Sequence, residues 1–291
     1  MDARNKKLSR KLESLELDAL FITKSVNQRY LEGFTGGDCF LLASGRENFL
    51  IADSRYTEMA EGECRRAKVV PHRSPNPPLE EVTARLAGEA GFKRIGFESA
   101  HMTYSQYESL SRSLAEAGAK FIPAPDAVEQ IRAVKEPEEI RETERACGVA
   151  DLALEELMKI LKPGVSELDV KVELDYLMKR NGADETGFDT MALFGARASQ
   201  PHANSSRAAK LKPGDFILID YGAMVNGYRS DTTRTFVCGR ADPEQRRAYE
   251  TVRYAQSESV AMIRAGANGR EINERALEIL TGAGFPAFQY G

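Results

Sequence analysis

Phe216-Ile217-Leu218-Ile219-Asp220-Tyr221-Gly222-Ala223 and, two residues later, Asn226-Gly227-Tyr228-Arg229-Ser230-Asp231-Thr232-Thr233-Arg234-Thr235-Phe236 read as two strands joined at Asn226-Gly227. An Asn-Gly pair tolerates positive φ at both central positions of a two-residue hairpin, so the turn is predicted there. With that turn, Val225 faces Tyr228. Counting outward then sets Gly222 opposite Asp231 and leaves Asp220 two residues further along on the same face. Two carboxylates held as diagonal neighbours repel each other, and the same pair is what a hard or borderline divalent ion takes as ligands. Spacing alone also allows a plainer reading, in which Asp220 is a strand-terminal turn residue and Asp231 a solvated hairpin residue.

The chain has 291 residues, 42% hydrophobic and 29% charged, which predicts two domains with ample material for a core. Its formal net charge of −4 supplies no basic footprint for nucleic acid. Cys39, Cys64, Cys147 and Cys238 are widely spaced with no Cys-x-x-Cys pairing, and are expected to be reduced, buried thiols. The N-terminus, Met1-Asp2-Ala3-Arg4-Asn5-Lys6-Lys7, is polar and leads into an amphipathic helix rather than an apolar signal core. No apolar run approaches a membrane span, so a cytoplasmic protein with no membrane partner is expected.

Residues 1–131 alternate helix and strand patterns and form the first predicted domain. Asn5 to Leu15 has helical spacing, Ala19 to Ile22 is a short buried strand, and Phe40-Leu41-Leu42 pairs with Phe49-Leu50-Ile51 around Ser44-Gly45. A Pro-rich connector from Pro71 to Pro78 precedes a helix ending at Ala90. The strand Arg94 to Phe97, a helix from Ser105 to Ala117 and the strand Lys120-Phe121-Ile122 complete a small α/β domain. The strings Tyr30-Leu31-Glu32-Gly33-Phe34-Thr35-Gly36 and Asp53-Ser54-Arg55-Tyr56 read equally well as turn chemistry with core aromatics or as the mouth of a binding site.

The second predicted domain, residues 132–291, begins near Pro137, placed to open a helix with acidic residues behind it where the helix dipole favours them. It carries an internal repeat. Ile160 to Val170 aligns without a gap on Met262 to Ile272, an offset of 102 (262 minus 160) that also brings Gly182 onto Gly284 and Glu156 onto Glu258. Each copy is an amphipathic helix, a Gly stop and a second helix ending near Gly, which implies two pseudo-symmetric halves closing around a shared cleft.

The run Asp220-Tyr221-Gly222-Ala223, the Gly227-Tyr228 pair and Ser230-Asp231-Thr232-Thr233-Arg234-Thr235-Phe236 closely resemble the metal-binding segment of the Xaa-Pro peptidases, members of the creatinase, prolidase and methionine-aminopeptidase superfamily with the pita-bread fold. The two strings of the first domain resemble the creatinase N-terminal domain, and Pro201-His202-Ala203 resembles the family's active-site histidine motif. The resemblance implies an α/β creatinase-like domain followed by an α+β pita-bread domain. It implies a metal-dependent exopeptidase acting on the Xaa-Pro bond of proline-containing peptides or dipeptides, and a homodimer. Asp220 would chelate one of two divalent ions and Asp231 would bridge both, with manganese or cobalt suiting oxygen ligands better than copper, and zinc or iron also compatible. His202 would contact the substrate near the scissile amide, as hydrogen-bond donor or proton shuttle and not as a ligand.

In the family, a His beyond the segment equivalent to Phe288-Gln289-Tyr290-Gly291 and two later Glu complete the ligand set. The chain as written is therefore expected to hold an incomplete second half and to belong to a longer protein that continues with those strands. A metal-free creatinase-like hydrolase and a catalytically inactive peptide-binding relative are the alternatives.

Overall fold

A computed structural model describes residues 3–73 and 75–285, and two compact units divide it, Met1–Pro137 and Glu138–Gly291. The Phe288 to Gly291 string lies outside the described residues.

The first unit runs α1 (Ala3–Ser14), β1 (Ala19–Ile22), α2 (Ser25–Glu32), β2 (Cys39–Ala43), β3 (Asn48–Asp53), α3 (Thr57–Glu63), β4 (Lys68–His72), α4 (Leu79–Glu89), β5 (Arg94–Phe97), α5 (Tyr104–Glu116), β6 (Lys120–Pro123) and α6 (Ala127–Ala133). Among the described residues, its strands form one mixed sheet in the order β4-β3-β2-β1-β5-β6. β1 to β3 pair antiparallel in succession, and β4, β5 and β6 each join parallel to their neighbour. Side chains alternate across this sheet. Leu20, Ile22, Leu41 and Leu50 pack with Leu8, Leu12, Leu31 and Val128 on one face, while Phe21, Leu42, Ile51 and Ile95 pack with Val82, Leu86, Leu110 and Leu114 on the other. A strand buried on both faces has no polar alternation, which is why Ala19 to Ile22 reads as a solid apolar run.

Three features depart from the sequence reading. The expected Pro-rich connector begins inside β4, where Pro71 pairs with Ala52. β4 is an edge strand, so a missing N–H there costs no ladder hydrogen bond. α2, absent from the sequence reading, mixes polar with apolar residues on its inward face: Tyr30 and Leu31 are buried beside Gln28, whose Nε2 donates to the carbonyls of Ile22 and Cys39, and Glu32, which accepts from Asn48 Nδ2 and the backbone N–H groups of Arg66 and Ala67. The units divide after Pro137, whereas 131/132 was expected: α6 runs on to Ala133 as one continuous helix anchored in the first unit's core by Ala127, Val128 and Ile131. Of the two strings with open readings, Tyr30 and Phe34 are core residues, and Asp53 is buried with Arg55 and Arg73 paired to it, their guanidinium groups holding its carboxyl well below the usual range.

The second unit runs α7 (Pro137–Leu157), α8 (Glu167–Arg180), β7 (Glu185–Thr186), β8 (Met191–Phe194), a 3-10 turn (Gly195–Ser199), β9 (Phe216–Tyr221), β10 (Ala223–Val225), β11 (Tyr228–Arg229), β12 (Thr232–Val237), α9 (Pro243–Ala261) and α10 (Gly269–Gly282). Pro137 opens α7 with Glu138 and Glu139 in the first turn, as expected. Ala150, Ala153 and Leu157 of α7 and Val170, Leu174, Leu177 and Met178 of α8 pack on Ala192, Phe194, Ile217, Ile219 and Tyr221 of β8 and β9. Burying each of the larger side chains contributes about 2 kcal/mol.

The repeat is structural. The offset of 102 carries α8 onto α10 end for end, and Gly164, Gly182, Gly266 and Gly284 all sit at positive φ, 96°, 108°, 81° and 77°. The copies differ in burial: α9 buries Ala255 alone and α10 no residue fully, and Tyr249, Val252, Tyr254 and Val260 of α9 are exposed among the described residues.

Gly222 stands between β9 and β10 at a close backbone approach. A Cβ there would lie 2.1 Å from the Ser230 carbonyl oxygen and 2.9 Å from Phe188 Cε1, neither compatible with an unshifted chain. Gly222→Ala is expected to destabilise the second unit by about 3 kcal/mol, as overpacking against backbone does. Urea unfolding checks this, and a change below about 0.5 kcal/mol, the usual size of a surface substitution, would contradict it.

Candidate functional site

The Asn226-Gly227 hairpin forms as the sequence predicts. Both residues are left-handed, φ 49° and 82°, as a type I′ turn requires. Asn226 N donates to Asp184 Oδ2 and Asn226 Nδ2 to Glu142 Oε2, which fasten the turn to the rest of the unit. On one side of the hairpin Val225 pairs with Tyr228 and Met224 with Arg229; on the other Tyr221 pairs with Thr232 and Asp220 with Thr233. The count is the same at both ends, so no residue is inserted between them and Gly222 stands opposite Asp231.

Regular pairing stops at that point. Gly187 N donates to the Gly222 carbonyl at 2.6 Å, Ser230 N to the Ala223 carbonyl at 2.9 Å, and Ala223 N to the Ser230 hydroxyl at 3.0 Å. β10 pairs with β7, while β9 pairs with β8 and β12, so the ribbon passes from one sheet to another at Gly222. Irregular strand pairing of this kind re-aims side chains and recurs beside active sites. Asp231 stands at the break, across from Gly222, and Asp220 two residues along β9 from it.

Along β9 the burial alternates, with Ile217, Ile219 and Tyr221 inside and Phe216, Leu218 and Asp220 half-buried on the face away from α7 and α8. Asp220 Oδ1 accepts from the Thr233 hydroxyl at 2.9 Å, the residue directly across the ladder. Asp231 is exposed. Diagonal ladder neighbours lie roughly 7–8 Å apart at Cα, within reach of a shared ion for two Asp side chains. The carboxylate pair thus fits as two oxygen ligands of a hard divalent ion, and among the described residues no set of three or more His, Cys, Asp or Glu side chains is gathered around a common point. Tyr221, next in sequence, contributes no acid: burial pushes its phenol up to about 12 and its hydroxyl lies in the core without a partner.

His202 is exposed in a turn beyond the 3-10 segment that follows β8. The loop bearing it returns to β8, where Ala192 N donates to the Ser205 hydroxyl at 2.9 Å. Ala192 pairs with Ile219, the neighbour of Asp220, so the base of this loop adjoins the carboxylate strand. The residue that ties the loop is Glu167, fully buried at the first position of α8, with its carboxylate accepting from Phe194 N, Arg197 Nε and Ser206 N. Sequence reading passes over it, because an acidic residue in a helix's first turn is ordinarily a dipole partner. The signal was in the repeat: its counterpart is Gly269, so helix initiation alone does not require Glu there.

Of the other two histidines, His72 ends β4 and is buried, which pushes its imidazole pKa down, and His101 is exposed in a turn with its Nδ1 2.9 Å from the Thr23 hydroxyl. All four cysteines are free, and Cys147 is exposed on α7 rather than buried.

Residues 141–291 match metallopeptidase family M24, and residues 4–134 match the creatinase/prolidase N-terminal domain. The chain is 34% identical over 279 residues to the uncharacterized peptidase YqhT of Bacillus subtilis (strain 168), covering 96% of this chain and 77% of the relative. It is 31% identical over 286 residues to an Xaa-Pro dipeptidase of Pyrococcus furiosus, covering 98% and 79%. Among solved structures, an Xaa-Pro dipeptidase from Bacillus anthracis superposes with a TM-score of 0.89 at 31% identity, covering 97% of this chain and 77% of that one. An X-Pro aminopeptidase from Thermotoga maritima superposes with a TM-score of 0.86 at 28% identity, covering 94% and 78%. The break in the hairpin, the helix-pair repeat and these likenesses agree: the chain belongs to metallopeptidase family M24, with a creatinase-like α/β domain preceding its pita-bread domain.

Proposed function

We propose that this peptidase is a metal-dependent exopeptidase that hydrolyses the bond before proline at the N-terminus of peptides or dipeptides. The observation that carries the reading is the unbroken pairing count across the hairpin, by which Asp231 falls opposite Gly222 and Asp220 is its diagonal neighbour. The relatives named Xaa-Pro dipeptidase and X-Pro aminopeptidase support the substrate class.

Asp220 and Asp231 would be among the residues that hold two divalent ions, manganese or cobalt. When bound, the ions polarise the scissile carbonyl and lower the pKa of water at the site. Thr233 fixes the Asp220 carboxylate by donating to Oδ1, so one of its oxygens is oriented before any ligand arrives. His202, outside the hairpin on its own loop, donates a hydrogen bond to the substrate near the scissile amide or passes a proton there. The enzyme works as a cytoplasmic homodimer on proline-containing peptides. Four cysteines without a disulfide suit a reducing compartment, and no described helix is long and apolar enough to cross a membrane.

Asp231→Asn removes one charge from the pair without changing its size. The complete protein, continued through the strands expected beyond Gly291 and loaded with metal, should lose the two-ion stoichiometry and most turnover on an Xaa-Pro dipeptide while its far-ultraviolet circular dichroism stays unchanged. Unaltered metal content with normal turnover would remove Asp231 from the site. His202→Ala, in contrast, should lower kcat by roughly a hundredfold, the usual effect of losing one transition-state hydrogen bond or proton-transfer group, at unchanged metal content. Metal content falling in step with activity would make His202 a ligand or a structural residue.

A further inference from the structure

Glu167 is an expensive residue to bury. It is 0% exposed, and a carboxylate taken out of water must recover its hydration from protein donors. Four close contacts supply them. Oε1 accepts from Phe194 N at 2.9 Å and from Arg197 Nε at 3.0 Å; Oε2 accepts from Arg197 Nε at 3.1 Å and from Ser206 N at 2.9 Å. Arg197 extends the clamp, its Nη2 donating to the Asn204 carbonyl at 2.7 Å.

The donors are not scattered. Phe194 is the last residue of β8, Arg197 lies in the 3-10 turn, and Asn204 and Ser206 lie on the returning limb. They are the two feet and the inner wall of one loop, residues 195–206, and Pro201-His202 is its exposed tip. The returning limb is also laced by backbone to the start of α8: Leu168 N donates to the Ser206 carbonyl, Glu167 N to the Ala209 carbonyl, and Ser166 bridges Lys210. Helix initiation does not need this carboxylate. The α8 N-terminus is already capped by Ser166 and Asp169, and α10 begins with Gly269 at the equivalent place. Glu167 therefore serves the loop.

We infer that Glu167, with Arg197, is a positioning residue that holds loop 195–206 in one conformation and so fixes the His202 imidazole relative to the Asp220 end of β9; the catalytic part of this inference rests on the role proposed above for His202. The physical basis is a single buried acceptor shared by three chain positions. Loss of the charge leaves three N–H groups facing a weaker acceptor or a second donor, and the loop gains alternative conformations. A displacement of about 1 Å at a catalytic group is enough to cost on the order of a hundredfold in rate.

The sequence makes the test direct, because the chain contains three histidines and the other two, His72 and His101, belong to the first unit. Imidazole proton resonances of the full chain, recorded before metal is added and assigned with His202→Ala, are compared with those of Glu167→Gln. The expected result is that the His202 signal shifts or broadens while the His72 and His101 signals keep their places. In the metal-loaded protein Glu167→Gln should lower kcat at least tenfold at unchanged metal content, and the double variant with His202→Ala should be no slower than His202→Ala alone, because both changes remove the same group. If Glu167→Gln does not fold, Arg197→Lys, which cannot fork between Glu167 and the Asn204 carbonyl, should show the same changes in smaller measure. An unmoved His202 signal, movement of all three signals together, or losses that multiply in the double variant would each overturn the inference. The resonances decide the positioning by themselves; full turnover in His202→Ala would instead sink the role proposed for that histidine.

Discussion

The second unit depends on one constraint, the register of the hairpin centred on Asn226-Gly227. Side chains alternate with period two, so the register that buries Ile217, Ile219 and Tyr221 against α7 and α8 is the one that turns Asp220 to the opposite face. A slip of one residue would put a carboxylate in the core and a fully buried tyrosine outside, losing apolar burial and stranding a charge at once. The core thus enforces the site. Gly222 makes the arrangement possible by letting the Ser230 carbonyl approach where a side chain would stand, which allows the ribbon to change sheets between the two aspartates.

The repeated helix pair is the scaffold on which this hairpin rests, and the two copies show how a duplicated frame acquires a local task. Positive-φ glycines stop the helices at matching places in both copies, so the frame is set by chain geometry. Function is written at positions where the copies disagree. Glu167 against Gly269 is the clearest, since the first copy uses the start of its second helix to anchor a loop and the second copy does not.

Most of the fold was legible because its signals are local. An Asn-Gly turn, the apolar run of β9 and helical periodicity in α1, α4, α5, α7 and α8 each depend on neighbours within a few residues. What escaped reading depends on distant partners. α2 buries Gln28 and Glu32 beside Tyr30 and Leu31 because the two polar side chains satisfy backbone groups from other elements, and β4 tolerates Pro71 because it lies at a sheet edge, a fact about topology. The placement of Asp220 and Asp231 followed from counting, whereas the clamp on the His202 loop, joining Glu167 to residues 27 to 39 positions away, leaves no trace in any short window.

The central claim is that the carboxylates at the Gly222 break form the seat of the metal. Anomalous diffraction from crystals of the complete protein, with the strands expected beyond Gly291, equilibrated with manganese tests it directly. The account predicts manganese peaks within coordination distance of both Asp220 and Asp231. Manganese bound away from these two residues, or no ordered manganese beside them at saturating concentration, would contradict it.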